Sequence, residues 1–193
     1  KIEQISDFKN PFEALENVHK EIITYKREDG LDLSATLYLS VNYKQGEKYP
    51  MLMWAYPREF VDASSAAQVT SSSKEFTYPY YGSPLYWVNR GYVVLDDAAF
   101  PIIGENEEQP NDTFIEQLVA NAKAAIDAVD AMGYIDRKRV GVGGHSYGAF
   151  MTANLLSHSD LFAAGIARSG AYNRTLTPFG FQAEERNYWE APE

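Results

Sequence analysis

A chain of 193 residues is long enough for one hydrophobic core and roughly one domain. Its 45% hydrophobic and 23% charged residues are those of a globular protein, and 27 acidic against 17 basic residues give a net charge of −10. That balance argues against nucleic acid or an anionic membrane as partner, since either needs a basic face. The absence of cysteine excludes disulfides and thiolate metal sites, and no apolar run approaches the ~20 residues of a membrane-spanning helix.

Taken in order, residues 1–20 show no periodicity, are broken by Pro11, and read as a linker. Residues 21–28 and 31–40 are β-rich runs around Asp29-Gly30, the strongest short hairpin signal. Leu31, Leu33, Ala35, Leu37 and Leu39 alternate with more polar residues, which predicts one buried face. Residues 51–56, Met-Leu-Met-Trp-Ala-Tyr, form an apolar run suited to a strand buried on both faces. A long loop follows over residues 60–81, rich in Ser, Ala and Tyr. Residues 83–90 predict a helix capped by Ser83, opened by Pro84 and stopped by Gly91. Residues 92–96 predict a strand and 98–111 a loop. Residues 112–132 are the clearest helix, with Phe114, Leu118, Ala122, Ala125, Ile126 and Val129 on one face. Thr113 and Glu116 suit a capping box, and Gly133 is the stop. A strand through Val142, a helix to about residue 157 and a short buried strand over 162–168 complete the pattern. The expectation is an α/β fold: an N-terminal antiparallel hairpin, then a mostly parallel sheet with helices on both faces.

The chemistry concentrates in Gly144-His145-Ser146-Tyr147-Gly148, a G-x-S-x-G pattern between a strand and a helix. A nucleophilic serine must stand clear of the sheet on a strained turn, and the flanking glycines let strand and helix approach. The turn also aims the first helix amides at the reaction centre, where they favour developing negative charge. Ligands in such sheets sit at the carboxyl ends of the strands, where Tyr56, the loop after Asp96 and Ser146 are expected to lie. No His, Asp or Glu spacing suggests a metal. Gly141-x-Gly143 is explained better by the serine turn than by a dinucleotide fingerprint, so no cofactor is expected.

Residues 143–150, Gly-Gly-His-Ser-Tyr-Gly-Ala-Phe, resemble the α/β-hydrolase domain of prolyl oligopeptidase-type serine peptidases. Residues 166–180, with Pro-Ile-Ile-Gly at 101–104 and Asn-Asp-Thr-Phe-Ile-Glu-Gln-Leu at 111–118, resemble the glutamyl endopeptidase branch. The resemblance spans about residues 21–193. It implies a serine peptidase acting on peptides, with Ser146 as nucleophile and an oxyanion hole from the Tyr147 backbone N–H and the Tyr56 hydroxyl. Tyr56 ends the third strand, the position from which the second donor of such a hole comes. The resemblance also implies an upstream β-propeller, residues 1–20 being the linker from it, and residues 21–193 being the N-terminal part of a peptidase domain incomplete at its C-terminus.

A serine nucleophile needs a histidine base oriented by a carboxylate. His19 falls in the linker, His145 should point away from its neighbour Ser146, and His158 lies twelve residues beyond it. In α/β-hydrolases the order is serine, acid, histidine, so both partners are expected beyond Glu193. The opening at Lys1 and the stop in a polar-aromatic stretch fit a piece of a longer protein, nearly inactive alone, with an exposed sheet edge. Cleavage after glutamate requires a cation in the specificity pocket, for which Arg58, Arg168 and Arg174 are candidates by their places near strand ends. An esterase with the same turn, or a non-catalytic hydrolase-like binding module, are the alternatives.

Overall fold

The Asp29-Gly30 turn brings back the first strand on the second. The computed structural model describes residues 3–67, 71–104 and 109–172. In it β1 (Lys20–Lys26) and β2 (Asp32–Tyr38) pair antiparallel from Lys20↔Tyr38 to Lys26↔Asp32. Gly30 takes φ +89, a left-handed conformation that glycine adopts without steric cost, and its N–H donates to Arg27 O at 2.9 Å. Arg27 is buried under this turn. Its guanidinium donates to Asp29 Oδ2 at 2.6 Å and, across to the long helix, to Asn121 Oδ1 at 3.0 Å.

The apolar run becomes β3 (Tyr49–Ala55). β5 (Val93–Ala98), β7 (Ile135–His145) and β8 (Ala164–Arg168) complete a six-stranded sheet in the order β1-β2-β5-β3-β7-β8. β2 meets β5 antiparallel, and β5, β3, β7 and β8 run parallel. Parallel strands end at the same edge, so Tyr56, the end of β5, Ser146 and Arg168 all lie there.

Helices cover both faces. α2 (Phe114–Ala131) lays Phe114, Leu118, Ala122, Ala125, Ile126 and Val129 against the sheet, together with α3 (Tyr147–His158). On the opposite face Leu85 and Val88 of a 3₁₀ helix, Pro84–Arg90, pack with Leu15, Tyr38 and Val94. That helix keeps the expected ends: Ser83 Oγ accepts from Leu85 N, and Gly91 closes it at φ +85. The second layer also corrects the one-sided reading of β2, because Thr36 and Tyr38 are buried as well as Leu33, Ala35 and Leu37.

Three further expectations are corrected. The segments that follow β3 and β5 contain a separate parallel ribbon, β4 (Arg58–Phe60) with β6 (Pro101–Ile103), and a one-turn helix α1 (Ala63–Ala66). Strands of three residues are too short for any periodicity to show. The Thr113 hydroxyl does not cap α2. A 3₁₀ turn, Pro110–Thr113, precedes that helix, with Gln109 N donating to Asp112 Oδ2 at 3.0 Å, while Thr113 Oγ1 accepts from Gln117 Nε2 at 2.9 Å. The strand near residue 165 forms, but Ala164–Ala167 are exposed rather than buried, because among the described residues β8 pairs only with β7.

Candidate active site

β7 runs through Gly143 and Gly144 to His145, and α3 begins at Tyr147. Ser146 stands between them at φ 58°, ψ −114°. A non-glycine residue with positive φ is strained by about 1–3 kcal/mol and persists only where its surroundings hold it. What holds it here is visible. Ser146 N donates to Arg168 O at 2.9 Å, and Ser146 O accepts from Ala149 N at 3.0 Å. A Cβ on Gly144 would stand 2.5 Å from the Gly148 carbonyl and 2.7 Å from Ala55 O, and one on Gly148 would run into Ala55 O. The two glycines therefore let helix, turn and β3 touch backbone to backbone. Ser146 is partly exposed at the tip, beside the positive end of a 12-residue helix.

Tyr56 follows directly on β3, next to the turn, and is 43% exposed. Its ring meets that of Tyr147 edge to face, 6.0 Å between centroids at 75°. Tyr147 is 5% exposed and stacks on Phe114 at 5.6 Å and on Phe150 at 6.0 Å. Its hydroxyl donates to Glu59 Oε1 at 3.0 Å, a bond between residues 88 positions apart. Glu59 escaped the sequence reading because no local pattern links it to Tyr147.

The arginines differ in surroundings. Arg58, exposed on β4, lines a cavity of about 70 Å³ with Tyr56, Ser71 and Asp97. Arg168 is half-buried at the end of β8. Its guanidinium lies 4.7 Å over the Tyr81 ring, and Nη1 donates to Tyr81 O at 3.4 Å. Arg174 lies outside the described residues. At the end of β5, burial pushes the Asp96 carboxyl up to about 6, with the neighbouring Asp97 adding to the rise; the Asp97 N–H bond and Lys20 oppose it. Asp96 and Asp97 border a second cavity of about 180 Å³, lined also by Tyr38 and Tyr80.

None of the three histidines bonds to the Ser146 hydroxyl. His19 pairs with Glu21 at 3.2 Å, His145 is exposed, and His158 ends α3, about 18 Å along a helix rising 1.5 Å per residue. Among the described residues no three His, Asp or Glu side chains gather as a metal site, and no helix is long and apolar enough to cross a membrane.

Residues 109–192 match the prolyl oligopeptidase family. A probable chloroplastic glutamyl endopeptidase of Arabidopsis thaliana is 52% identical over 194 residues, and its counterpart in Oryza sativa subsp. japonica 52% over 191. These alignments take in 99% and 97% of the chain, which spans 20% of each relative's length. Among solved structures, a Pyrococcus horikoshii acylaminoacyl peptidase superposes with a TM-score of 0.59 at 23% identity, over 90% of this chain and 26% of that one. Porphyromonas gingivalis dipeptidyl peptidase 4 superposes with a TM-score of 0.52 at 24% identity, over 78% of this chain and 20% of that one. At such identities the likeness speaks for the fold, which is that of an α/β-hydrolase. Residues 109–192 thus match the prolyl oligopeptidase family, and the chain resembles that family's α/β-hydrolase catalytic domain, on its glutamyl endopeptidase-like branch.

Proposed function

We propose that the full-length protein is a serine peptidase that hydrolyses peptide bonds through an acyl-enzyme on Ser146. The observation that carries this is the strained Ser146 at φ 58°, at the tip of a strand-to-helix turn kept tight by Gly144 and Gly148. The Ser146 hydroxyl attacks the scissile carbonyl, and the carbonyl oxygen becomes an oxyanion. The Tyr147 backbone N–H and the Tyr56 hydroxyl stabilise that charge. A histidine removes the serine proton and delivers it to the leaving amine as the C–N bond breaks; water, giving a proton to the same histidine, then attacks the acyl-enzyme, and the serine leaves with that proton as the acid is released. That histidine and its carboxylate come from parts of the full-length protein outside these residues, in keeping with the order serine, acid, histidine. Residues 1–20 serve as the link from an upstream β-propeller, and residues 21–193 as the first part of the peptidase domain.

Cleavage after glutamate fits the name of the two plant relatives, probable glutamyl endopeptidases. Of the candidate cations, Arg58 is favoured because it lines a cavity with Tyr56, whereas the Arg168 guanidinium is already spent on Tyr81. Fluorophosphonate labelling of the full-length protein beside Ser146→Ala, followed by peptides differing only in Glu, Pro or Ala before the scissile bond, tests the reading. Label on the wild type alone, with Glu peptides preferred, is expected. No label on folded wild-type protein would overturn it, and turnover of p-nitrophenyl esters without peptides would make the protein an esterase.

A further inference from the structure

Glu59 sits on the same short segment as Tyr56, three residues on, yet its carboxylate reaches the first residue of α3 and accepts from the Tyr147 hydroxyl at 3.0 Å. The segment that carries it is anchored. β4 pairs with β6, and the Gln117 side chain of α2 grips β6 on both sides, accepting from Ile103 N and donating to Ile103 O, each at 2.9 Å. Asn121 of the same helix donates to Pro101 O at 2.9 Å and is itself tied to Arg27. The Tyr147 ring is set by Phe114 at the first turn of α2, by Phe150 and by the edge of Tyr56. One bond therefore joins the loop that bears Tyr56 to Tyr147, the residue whose backbone N–H is the other proposed donor.

We infer that Glu59 is a positioning residue of the oxyanion hole, acting through the Tyr147 hydroxyl to fix the spacing between the Tyr147 amide and the Tyr56 phenol. The inference rests on the proposed role of those two donors. Hydrogen bonds to a charged acceptor are stronger and more directional than neutral ones. A misplacement of about 1 Å in a preorganised site costs on the order of 100-fold in rate. Glu59 is exposed and belongs to no core cluster, so replacing it leaves the packing of the fold untouched.

The test uses the full-length protein, a fluorogenic peptide that the wild type cleaves, and a peptide aldehyde whose adduct mimics the oxyanion. Glu59→Leu and Tyr147→Phe should each lower kcat by about 10- to 100-fold, leave KM within about twofold, and weaken the aldehyde by the same factor. The double variant should be no worse than either single one. Glu59→Gln, whose carbonyl still accepts the hydroxyl, should recover most of the loss. A change in KM with kcat intact would overturn the inference, because Glu59 would then touch substrate. Losses that multiply in the double variant, or an unchanged Glu59→Leu beside an active wild type, would overturn it too. Folded wild-type protein that takes no fluorophosphonate overturns the peptidase reading and this inference together, whereas a labelled wild type with unaffected variants overturns this inference alone.

Discussion

At Ser146 the backbone is held in a conformation that costs about 1–3 kcal/mol, and the surrounding contacts leave no room to relax. Gly144→Ala would drive a methyl to within 2.5 Å of the Gly148 backbone, so a loss of ~3 kcal/mol or more is expected, read as a fall in the urea midpoint. Tyr56→Phe removes one hydroxyl from an exposed ring and should leave stability unchanged. In the full-length protein it should lower kcat by about 10²–10³ with little change in KM, the signature of a donor used in the transition state. Asp96 makes a pH prediction. Its carboxyl titrates near 6 in the fold against an ordinary 3.8, so between those values the folded state binds more protons than the unfolded one. Stability contributed by this group is therefore lost as pH rises through that window, and the penalty is complete above it. Asp96→Asn keeps the acceptor for Asp97 N and removes the penalty, so its melting temperature should exceed the wild type's by more at pH 7.5 than at pH 4.5.

Among the elements, the hairpin and α2 were legible in the sequence and the β4–β6 ribbon was not. Asp29-Gly30 and the 3.6-residue apolar spacing of α2 are local signals that any tertiary context preserves. A three-residue strand has none, and its existence depends on Gln117 and Asn121 offering hydrogen bonds to Ile103 and Pro101 from a distant helix. The Thr113–Glu116 spacing suited a capping box, yet the 3₁₀ turn begun at Pro110 moved the cap to Gln109 and Asp112. Arg27 joins the hairpin to this helix from a buried position. Arg27→Ala leaves Asn121 and Gln117 without that donor and should cost about 3 kcal/mol by denaturant titration. Arg27→Lys, lacking the planar fork, should recover less than half of it.

For the molecule as a whole, the parallel order β5-β3-β7-β8 gathers four strand ends at one edge, and the candidate site is that edge. Its proposed nucleophile Ser146, the helix terminus and Tyr56 are present, while among the described residues no histidine bonds to Ser146. On the proposed reading, these 193 residues alone should react with fluorophosphonate at least about 1,000-fold more slowly than the full-length protein, compared by gel-based labelling rates. The sequence by itself determined the α/β alternation, the hairpin, the long helix and the strained serine turn, because each is written in neighbouring residues through backbone sterics or apolar period. Only the tertiary structure decided that Glu59 meets Tyr147, that Arg168 is taken up by Tyr81 and that Asp96 is desolvated. Those outcomes arise between side chains tens of residues apart, and they depend on how strands are ordered in the sheet, which no local pattern encodes.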